Sequence, residues 1–140
     1  MRYYLDTNIL IFYLFDKNPD DNLDKKTLDI FADYETILYT SSVAICELFH
    51  LYKSGDFKTS KYKTPTEVFD ALNSIGIEIK PITEKHLRCY SELEAAKGHK
   101  DPNDHIIIAQ AIADKIPIIS SDNKFKEYVG QGLNFVFNRR

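Results

Sequence analysis

The sequence predicts an α/β fold in which helices cover both faces of a parallel β-sheet. Short apolar segments alternate along the chain with longer segments whose apolar residues recur at helical spacing. The short segments are continuously apolar, which is typical of strands buried on both faces. Strands that alternate with helices in this way form parallel sheets, because each helix carries the chain back to the start of the next strand.

The predicted elements follow one another in a regular order. Strands are expected at about residues 2–6, 37–40, 77–79, 117–120 and 134–137. Helices are expected at about residues 7–16, 23–34, 43–53, 65–74, 83–97 and 104–114. Ser41 or Ser42 is suited to cap the third helix, and Thr64 to cap the fourth, which has Pro65 in its first turn. Residues 54–64 are polar and basic, which indicates a loop.

Length and composition set limits on the class of protein. A chain of 140 residues with 44% hydrophobic content is predicted to form one domain, residues 1–140, with a substantial core. The sequence contains no run of about 18 apolar residues, and it reaches Asp6 without the apolar stretch of a secretion signal. We therefore expect a cytoplasmic protein with no membrane partner. The net charge of −3 argues weakly against a broad basic surface for nucleic acid.

Cysteine and histidine give no sign of a metal cluster. Cys46 and Cys89 lie within apolar helical patterns, and we expect two buried thiols that act as small hydrophobic side chains. A zinc site would require more cysteine at tighter spacing. The four histidines show no spacing typical of metal ligands.

Four carboxylates are the candidate functional residues. Asp6 and Asp122 follow predicted strands, Asp104 stands at the start of a helix, and Glu47 lies within one. Each aspartate has a local explanation as a helix cap, and Asp101 could cap in place of Asp104. Glu47 has no such explanation, because four helical residues precede it and its neighbours on the helix face are mostly apolar.

The same four residues have a common explanation in a bound cation. Burying one acid without a partner is costly, and burying four in a small protein requires a compensating charge. Mg²⁺ and Mn²⁺ prefer oxygen ligands and offset the repulsion between carboxylates. Ligands of open parallel sheets bind at the carboxyl ends of the strands, where Asp6 and Asp122 are expected. We therefore predict a metal-dependent nuclease centre.

Four sequence blocks resemble the PIN domain, the ribonuclease module of VapC-type toxins. They are LDTNIL at 5–10, SVAICEL at 42–48, KDPNDHIIIAQA at 100–111 and IISSDNKF at 118–125. The third block is the most specific, and the order and spacing of the four extend through nearly the whole chain. Two positions of that block depart from the family pattern: Asn103 replaces an aromatic residue and His105 replaces an arginine.

The resemblance implies a three-layer α/β/α fold with a five-stranded parallel sheet. It also implies an endoribonuclease that depends on Mg²⁺ or Mn²⁺, acts on single-stranded or loop RNA, and is the toxin of a type II toxin–antitoxin pair. The implied catalytic and metal-binding residues are Asp6, Glu47, Asp104 and Asp122. The implied supporting residues are Thr7 and Ser120, which supply hydroxyls near the acids, together with Asn8 and Asp101.

The sequence indicates the substrate and partner surfaces less clearly than the acidic site. Lys58, Lys61 and Lys63 lie in the basic loop together with aromatic residues, which suits contact with an RNA backbone and stacking with bases. A solvated loop without such a role is the favoured explanation of these residues. His105 is a further candidate for RNA contact. The first helix is apolar on every side, and two explanations are open. Part of the helix faces a partner, which is either an antitoxin or a second copy in a homodimer. Alternatively, that part is buried under the second helix.

Three other interpretations of the sequence can be compared with the PIN domain. A PIN-like module that binds RNA or protein with little or no catalysis is the nearest alternative. A haloacid-dehalogenase phosphatase would require a second aspartate at the position of Asn8. A phosphate-accepting receiver would require an acceptor after its third strand, where Lys80 and Pro81 stand. The last two alternatives fit the sequence poorly.

Overall fold

A five-stranded parallel sheet forms the middle layer of the structure, a computed structural model that describes residues 1–55 and 61–140. The strands are β1 (Arg2–Leu5), β2 (Ile37–Ser41), β3 (Ile77–Lys80), β4 (Ile118–Ser120) and β5 (Phe135–Phe137). Their order across the sheet is β3-β2-β1-β4-β5, and every neighbouring pair is parallel. The predicted three-layer α/β/α fold is confirmed.

Helices connect the strands in the predicted order. The α-helices are α1 (Thr7–Phe15), α2 (Lys25–Ala32), α3 (Ser42–Ser54), α4 (Pro65–Ile75), α5 (Glu84–Glu92) and α6 (Pro102–Asp114). Ser41 caps α3 by accepting a hydrogen bond from the Val43 amide, and Thr64 and Glu67 form a reciprocal capping box at α4. No helix in residues 1–55 or 61–140 is long and apolar enough to cross a membrane.

The strand order reverses between β1 and β4. From β1 the chain adds β2 and β3 on one side, and then returns to place β4 and β5 on the other side. Leu5 pairs with both Thr40 and Ile119, so the ends of β1, β2 and β4 lie level with one another. Such a reversal leaves a crevice at the carboxyl ends of the two central strands, which is where open α/β sheets bind ligands.

Helix α1 is buried by its own chain. Ile9, Leu10 and Leu14 are inaccessible to solvent, and the ring of Tyr13 packs at a tilt against Phe31 of α2 with ring centroids 4.5 Å apart. The second of the two explanations for this apolar helix is therefore correct, and the hypothesis that α1 faces a partner is wrong. An all-apolar helix is required here because it is enclosed by the sheet, α2, α3 and the C-terminal tail.

The predicted helix at 83–97 is too long. Helix α5 ends at Glu92, and Leu93 is extended. The side chain of Gln131 then accepts a hydrogen bond from the Glu94 amide and donates one to the Glu94 carbonyl. These two bonds replace the ones that a continuing helix would have made, and they come from a residue 37 positions away in the sequence.

A 3₁₀ helix at Asn123–Gln131 lies between the fourth and fifth strands, where the sequence predicts no helix. Phe125 and Tyr128 are three residues apart and both fully buried, as the three-residue period of this helix type requires.

The cysteine prediction is partly wrong, because Cys46 is exposed and Cys89 half-buried. Cys46 lies on the side of α3 that faces away from the apolar core.

Candidate metal centre

The sheet and two helices bring the four predicted acids to one edge of the molecule. Asp6 directly follows β1 and Asp122 closely follows β4, on either side of the crevice where the strand order reverses. Glu47 lies in the second turn of α3, and Asp104 lies in the first turn of α6. Residues separated by up to 116 positions in the sequence therefore meet because parallel strands end at the same edge.

Asp6 is held at both of its carboxylate oxygens. Its Oδ1 accepts a hydrogen bond from the Thr7 amide at 2.8 Å, and its Oδ2 accepts one from the Ser120 hydroxyl at 2.7 Å. The Ser120 hydroxyl also accepts a hydrogen bond from the Asp122 amide at 3.0 Å. One buried serine therefore joins the acids that follow β1 and β4.

Glu47 is joined to the same network through a threonine. The Thr7 hydroxyl donates a hydrogen bond to Glu47 Oε1 at 3.1 Å. Carboxylate oxygens of Glu47, Asp101 and Asp104 lie within 4.8 Å of one another. This spacing is short enough for one cation to contact all three side chains after small rotamer adjustments.

Asp104 also belongs to a second group of potential ligands. Its carboxylate lies within 4.8 Å of Asp122 and of His99 Nε2, which is 3.0 Å from Asp104 Oδ2. Asp104 is therefore central, with Glu47 and Asp101 on one side and His99 and Asp122 on the other. Asp6 is in neither group of three, and its carboxylate interacts electrostatically with both Asp104 and Glu47.

Three aspartates of the site also cap helices. Asp6, Asp101 and Asp122 each accept a hydrogen bond from a backbone amide at the start of the following helix. Because Asp101 caps α6, Asp104 is not needed for that task. A carboxylate oxygen that accepts one hydrogen bond keeps a second lone pair, so neither these caps nor the Ser120 hydrogen bond to Asp6 prevents the acids from binding an ion.

Burial and mutual repulsion both disfavour ionisation of these acids. Burial is the main cause that raises the pKa of Asp6 to about 7, and the charges of Asp104 and Glu47 add to it. Burial likewise raises the pKa of Glu47 to about 7, with added repulsion from Asp104 and Asp101. The pKa of Asp104 is also raised, first by burial, although its hydrogen bond from His99 acts in the opposite direction.

Lysine and arginine do not neutralise this cluster in the described part of the chain. Their ion pairs lie elsewhere, at Lys25–Asp29, Lys85–Asp114 and Arg88–Glu84. A set of partly buried carboxylates that pairs with no lysine or arginine among the described residues matches the ligand preference of a hard divalent cation. The residues present therefore fit Mg²⁺ or Mn²⁺.

Sequence reasoning did not identify His99 as part of this site. The residue is only 4% exposed, its Nε2 contacts Asp104, and its Nδ1 lies 2.7 Å from the Tyr128 hydroxyl. No sequence spacing could have linked His99 to Tyr128, because Tyr128 is 29 positions away in a 3₁₀ helix that the sequence did not predict. The only available signal was the position of His99 five residues before Asp104.

Asn8 and His105, the other predicted site residues near the acids, differ in their exposure to solvent. Asn8 is exposed in the first turn of α1. His105 is partly exposed, but its Nε2 is buried with no hydrogen-bond partner among the described residues. A surface cavity of about 200 Å³ next to Glu47 is lined by Cys46, His50, Leu51 and Asn103.

The basic loop is described only in part. Lys58 lies outside the described residues, whereas Lys61 and Lys63 are exposed. Tyr62 packs edge-on against Phe15 with ring centroids 5.2 Å apart, and its carbonyl accepts a hydrogen bond from the Tyr52 hydroxyl. The ring of Tyr62 therefore takes part in the protein's own packing.

Comparison with known structures gives many full-length matches at low sequence identity. VapBC2 from Rickettsia felis, bound to a DNA fragment from its promoter, matches with a TM-score of 0.67 and 22% identity, covering 99% of this chain and 100% of that one. VapC20 from Mycobacterium tuberculosis, a toxin that cleaves the sarcin–ricin loop, matches with a TM-score of 0.65 and 12% identity, covering 89% and 93%. VapBC-5 from the same organism matches with a TM-score of 0.61 and 20% identity, covering 99% and 98%.

Sequence comparison is more limited but identifies a family. No curated protein sequence matches this chain significantly. The PIN domain family matches residues 3–131, which include all four predicted acids and both of the buried hydroxyls that join them. That match extends over nearly the whole chain and agrees with the fold, and the chain therefore belongs to the PIN domain family.

Proposed function

We propose that this chain is a divalent-metal-dependent endoribonuclease that hydrolyses phosphodiesters of single-stranded or loop RNA. The observation that carries this proposal is the gathering of Asp6, Glu47, Asp104 and Asp122 at the sheet edge without a lysine or arginine counter-ion in the described residues. We also propose that this activity is cytoplasmic. VapC20, which has the same fold, is a toxin that cleaves the sarcin–ricin loop, and this supports the proposed activity.

The residues that would hold the ion are Glu47, Asp101 and Asp104, with Asp6 and Asp122 completing the anionic cage. Mg²⁺ or Mn²⁺ bound there would neutralise phosphate charge and lower the pKa of an attacking water. Thr7 and Ser120 keep Asp6 and Glu47 in place through hydrogen bonds to one carboxylate oxygen of each. The second oxygen of Glu47 stays available to the ion.

Cations of the chain would guide the RNA to this edge. We propose Lys58, Lys61 and Lys63 as contacts for the phosphate backbone, supported by the exposure of Lys61 and Lys63. His105 is proposed as a contact through the exposed part of its ring, since its Nε2 is buried. Asn8 is proposed to meet substrate or solvent at the same edge, which its exposure two residues after Asp6 supports.

The proposed biological role is that of the toxin in a type II toxin–antitoxin pair. Structures with the same fold include the VapBC-5 toxin–antitoxin system of Mycobacterium tuberculosis, which supports a cognate antitoxin as the partner. A homodimer is also proposed. Because α1 is buried, contacts with either partner would use other apolar side chains, such as Phe69 and Ile75 on α4, which are 40% and 39% exposed.

The test is cleavage of labelled single-stranded RNA by purified protein in Mn²⁺ or Mg²⁺, compared with EDTA. Asp6→Asn is expected to lower the cleavage rate at least about 100-fold, because the site loses a charge that the ion requires. Asp70→Asn, which changes an exposed acid on α4, is the matched control and is expected to retain activity. Cleavage that persists in EDTA, or equally in Asp6→Asn, contradicts the proposal, and so does an RNA-binding protein that never cleaves.

A further inference from the structure

His99 and Tyr128 form a hydrogen-bonded pair that ends on the central acid of the site. The Tyr128 hydroxyl lies 2.7 Å from His99 Nδ1, and His99 Nε2 lies 3.0 Å from Asp104 Oδ2. Tyr128 is fully buried and His99 is nearly so. Both side chains are therefore removed from solvent and cannot exchange their partners for water without opening the structure.

The direction of each hydrogen bond follows from the donors available. The Ala96 amide donates to the Tyr128 oxygen at 3.0 Å, so the hydroxyl proton of Tyr128 is free to be donated to His99 Nδ1. His99 then carries its ring hydrogen on Nε2 and donates it to Asp104 Oδ2. Asp104 Oδ1 accepts no hydrogen bond from the described residues, which leaves this oxygen for an ion.

Packing holds the imidazole ring of His99 in this orientation. The His105 ring meets it edge-on with centroids 4.7 Å apart, and Phe125 and Tyr128 contact it at 6.3 and 5.5 Å. The backbone turn before His99 is fixed as well, since the His99 amide donates to the Ala96 carbonyl and Gly98 has a φ of +82°. A positive φ is readily adopted only by glycine, so Gly98 permits the turn that delivers His99.

We infer that Tyr128 and His99 are positioning residues, which hold the Asp104 carboxylate in the single orientation that lets its Oδ1 bind a divalent cation. This inference rests on the proposed function, since it assigns a role toward the ion of the same site. Residues that orient a metal ligand without touching the metal typically contribute 10- to 100-fold to metal affinity, roughly the effect expected here. Tyr128 would then influence a cation that it does not contact.

The chain contains a matched control for both residues. At the opposite end of α6, Asp114 accepts hydrogen bonds from the buried Tyr4 hydroxyl and from His86 Nε2 at 2.9 Å. Tyr4 and His86 are as deeply buried as Tyr128 and His99. Substitutions at Tyr4 and His86 therefore remove chemically similar contacts from the same helix, away from the acidic site.

The experiment is calorimetric titration of the purified protein with Mn²⁺ alone, with the melting temperature recorded for each variant. Tyr128→Phe and His99→Ala are expected to weaken Mn²⁺ binding about 10- to 100-fold. His99→Gln should recover part of that loss, because its amide can still donate to Asp104. Tyr4→Phe and His86→Gln are expected to leave the affinity within about twofold of the unsubstituted protein, whatever they do to the melting temperature.

The possible outcomes separate the inference from the function on which it rests. Unchanged Mn²⁺ affinity in Tyr128→Phe overturns the positioning role alone, provided that the unsubstituted protein binds Mn²⁺ and cleaves RNA. A nitrogen hyperfine coupling to Mn²⁺ that disappears in His99→Ala also overturns it, because His99 would then be a direct ligand. Failure of the unsubstituted protein to bind Mn²⁺ overturns both proposals.

Discussion

The Thr7 hydroxyl donates a hydrogen bond to Glu47 Oε1 at 3.1 Å, and this contact joins the first turn of α1 to the second turn of α3. The two residues are 40 positions apart, and they belong to helices that begin at the carboxyl ends of the neighbouring strands β1 and β2. Asp6 precedes Thr7, so the contact sets the position of Glu47 relative to Asp6. The hydroxyl also opposes the burial that raises the pKa of Glu47.

Removal of the Thr7 hydroxyl should weaken cation binding. Thr7→Val keeps the shape of the side chain but leaves Glu47 without its donor, and we expect Mn²⁺ affinity measured by calorimetry to fall about 3- to 10-fold. Thr40→Val is the control, since the buried Thr40 hydroxyl has no hydrogen-bond partner among the described residues. That control should bind Mn²⁺ normally and be as stable as the parent or more so. Equal affinities in Thr7→Val and the parent would show that this bond does not orient Glu47.

Without metal, the stability of the protein should fall as the pH rises from about 4 to 8. The pKa values of Asp6 and Glu47 are raised to about 7, so in this range the folded protein binds more protons than the unfolded chain. The free energy of unfolding must then decrease with rising pH. Melting temperatures in EDTA should be higher at pH 5 than at pH 7.5.

The same measurement with excess Mn²⁺ provides the comparison. The ion should reverse most of the loss at pH 7.5, because it binds only the folded protein with ionised acids. The double variant Asp6→Asn with Glu47→Gln should have a flatter pH dependence in EDTA. A melting temperature in EDTA that rises between pH 5 and 7.5 would contradict the assigned direction of these two pKa shifts.

Asp6→Asn should stabilise the metal-free protein while it abolishes activity. The substitution removes a charge from a side chain that is only 5% exposed, and the amide oxygen can still accept from the Thr7 amide. We expect the melting temperature in EDTA at pH 7.5 to rise by about 3 °C or more. The exposed control Asp70→Asn should change neither the melting temperature nor cleavage. A lower melting temperature for Asp6→Asn would indicate that the carboxylate is needed for folding rather than for the ion.

The C-terminal residues should be important for stability because one buried side chain fastens them to the site edge. Asn138 is fully buried, donates to the Asn22 carbonyl and the Ser121 hydroxyl, and accepts from the Asp24 amide. Asn138→Ala leaves these groups unpaired and should cost about 3 kcal/mol by urea denaturation. Asn134→Ala, at an exposed position of the same segment, is expected to cost less than about 0.5 kcal/mol. Similar losses in the two variants would contradict a specific role for Asn138.

Local chemistry in the sequence was sufficient to identify most elements and the four acids. Ser41 and Thr64 begin helices because their hydroxyls accept from free amides, which depends only on residues within one turn. Asp6 and Asp122 could be placed at one edge of the sheet because parallel strands end together. These inferences use contacts between near neighbours, or a rule of topology that the alternation of strands and helices already implies.

Only the tertiary structure decided which surfaces meet. Helix α1 is buried on nearly all sides, α5 stops at Glu92 because Gln131 bonds to Glu94, and His99 reaches Asp104 with its ring held by Tyr128. Each of these features depends on a partner far along the chain, and the free energy of such contacts arises only after the chain has closed the intervening loop. The sequence by itself determined the acids and the sheet edge where they gather, whereas folding determined which neighbours orient them.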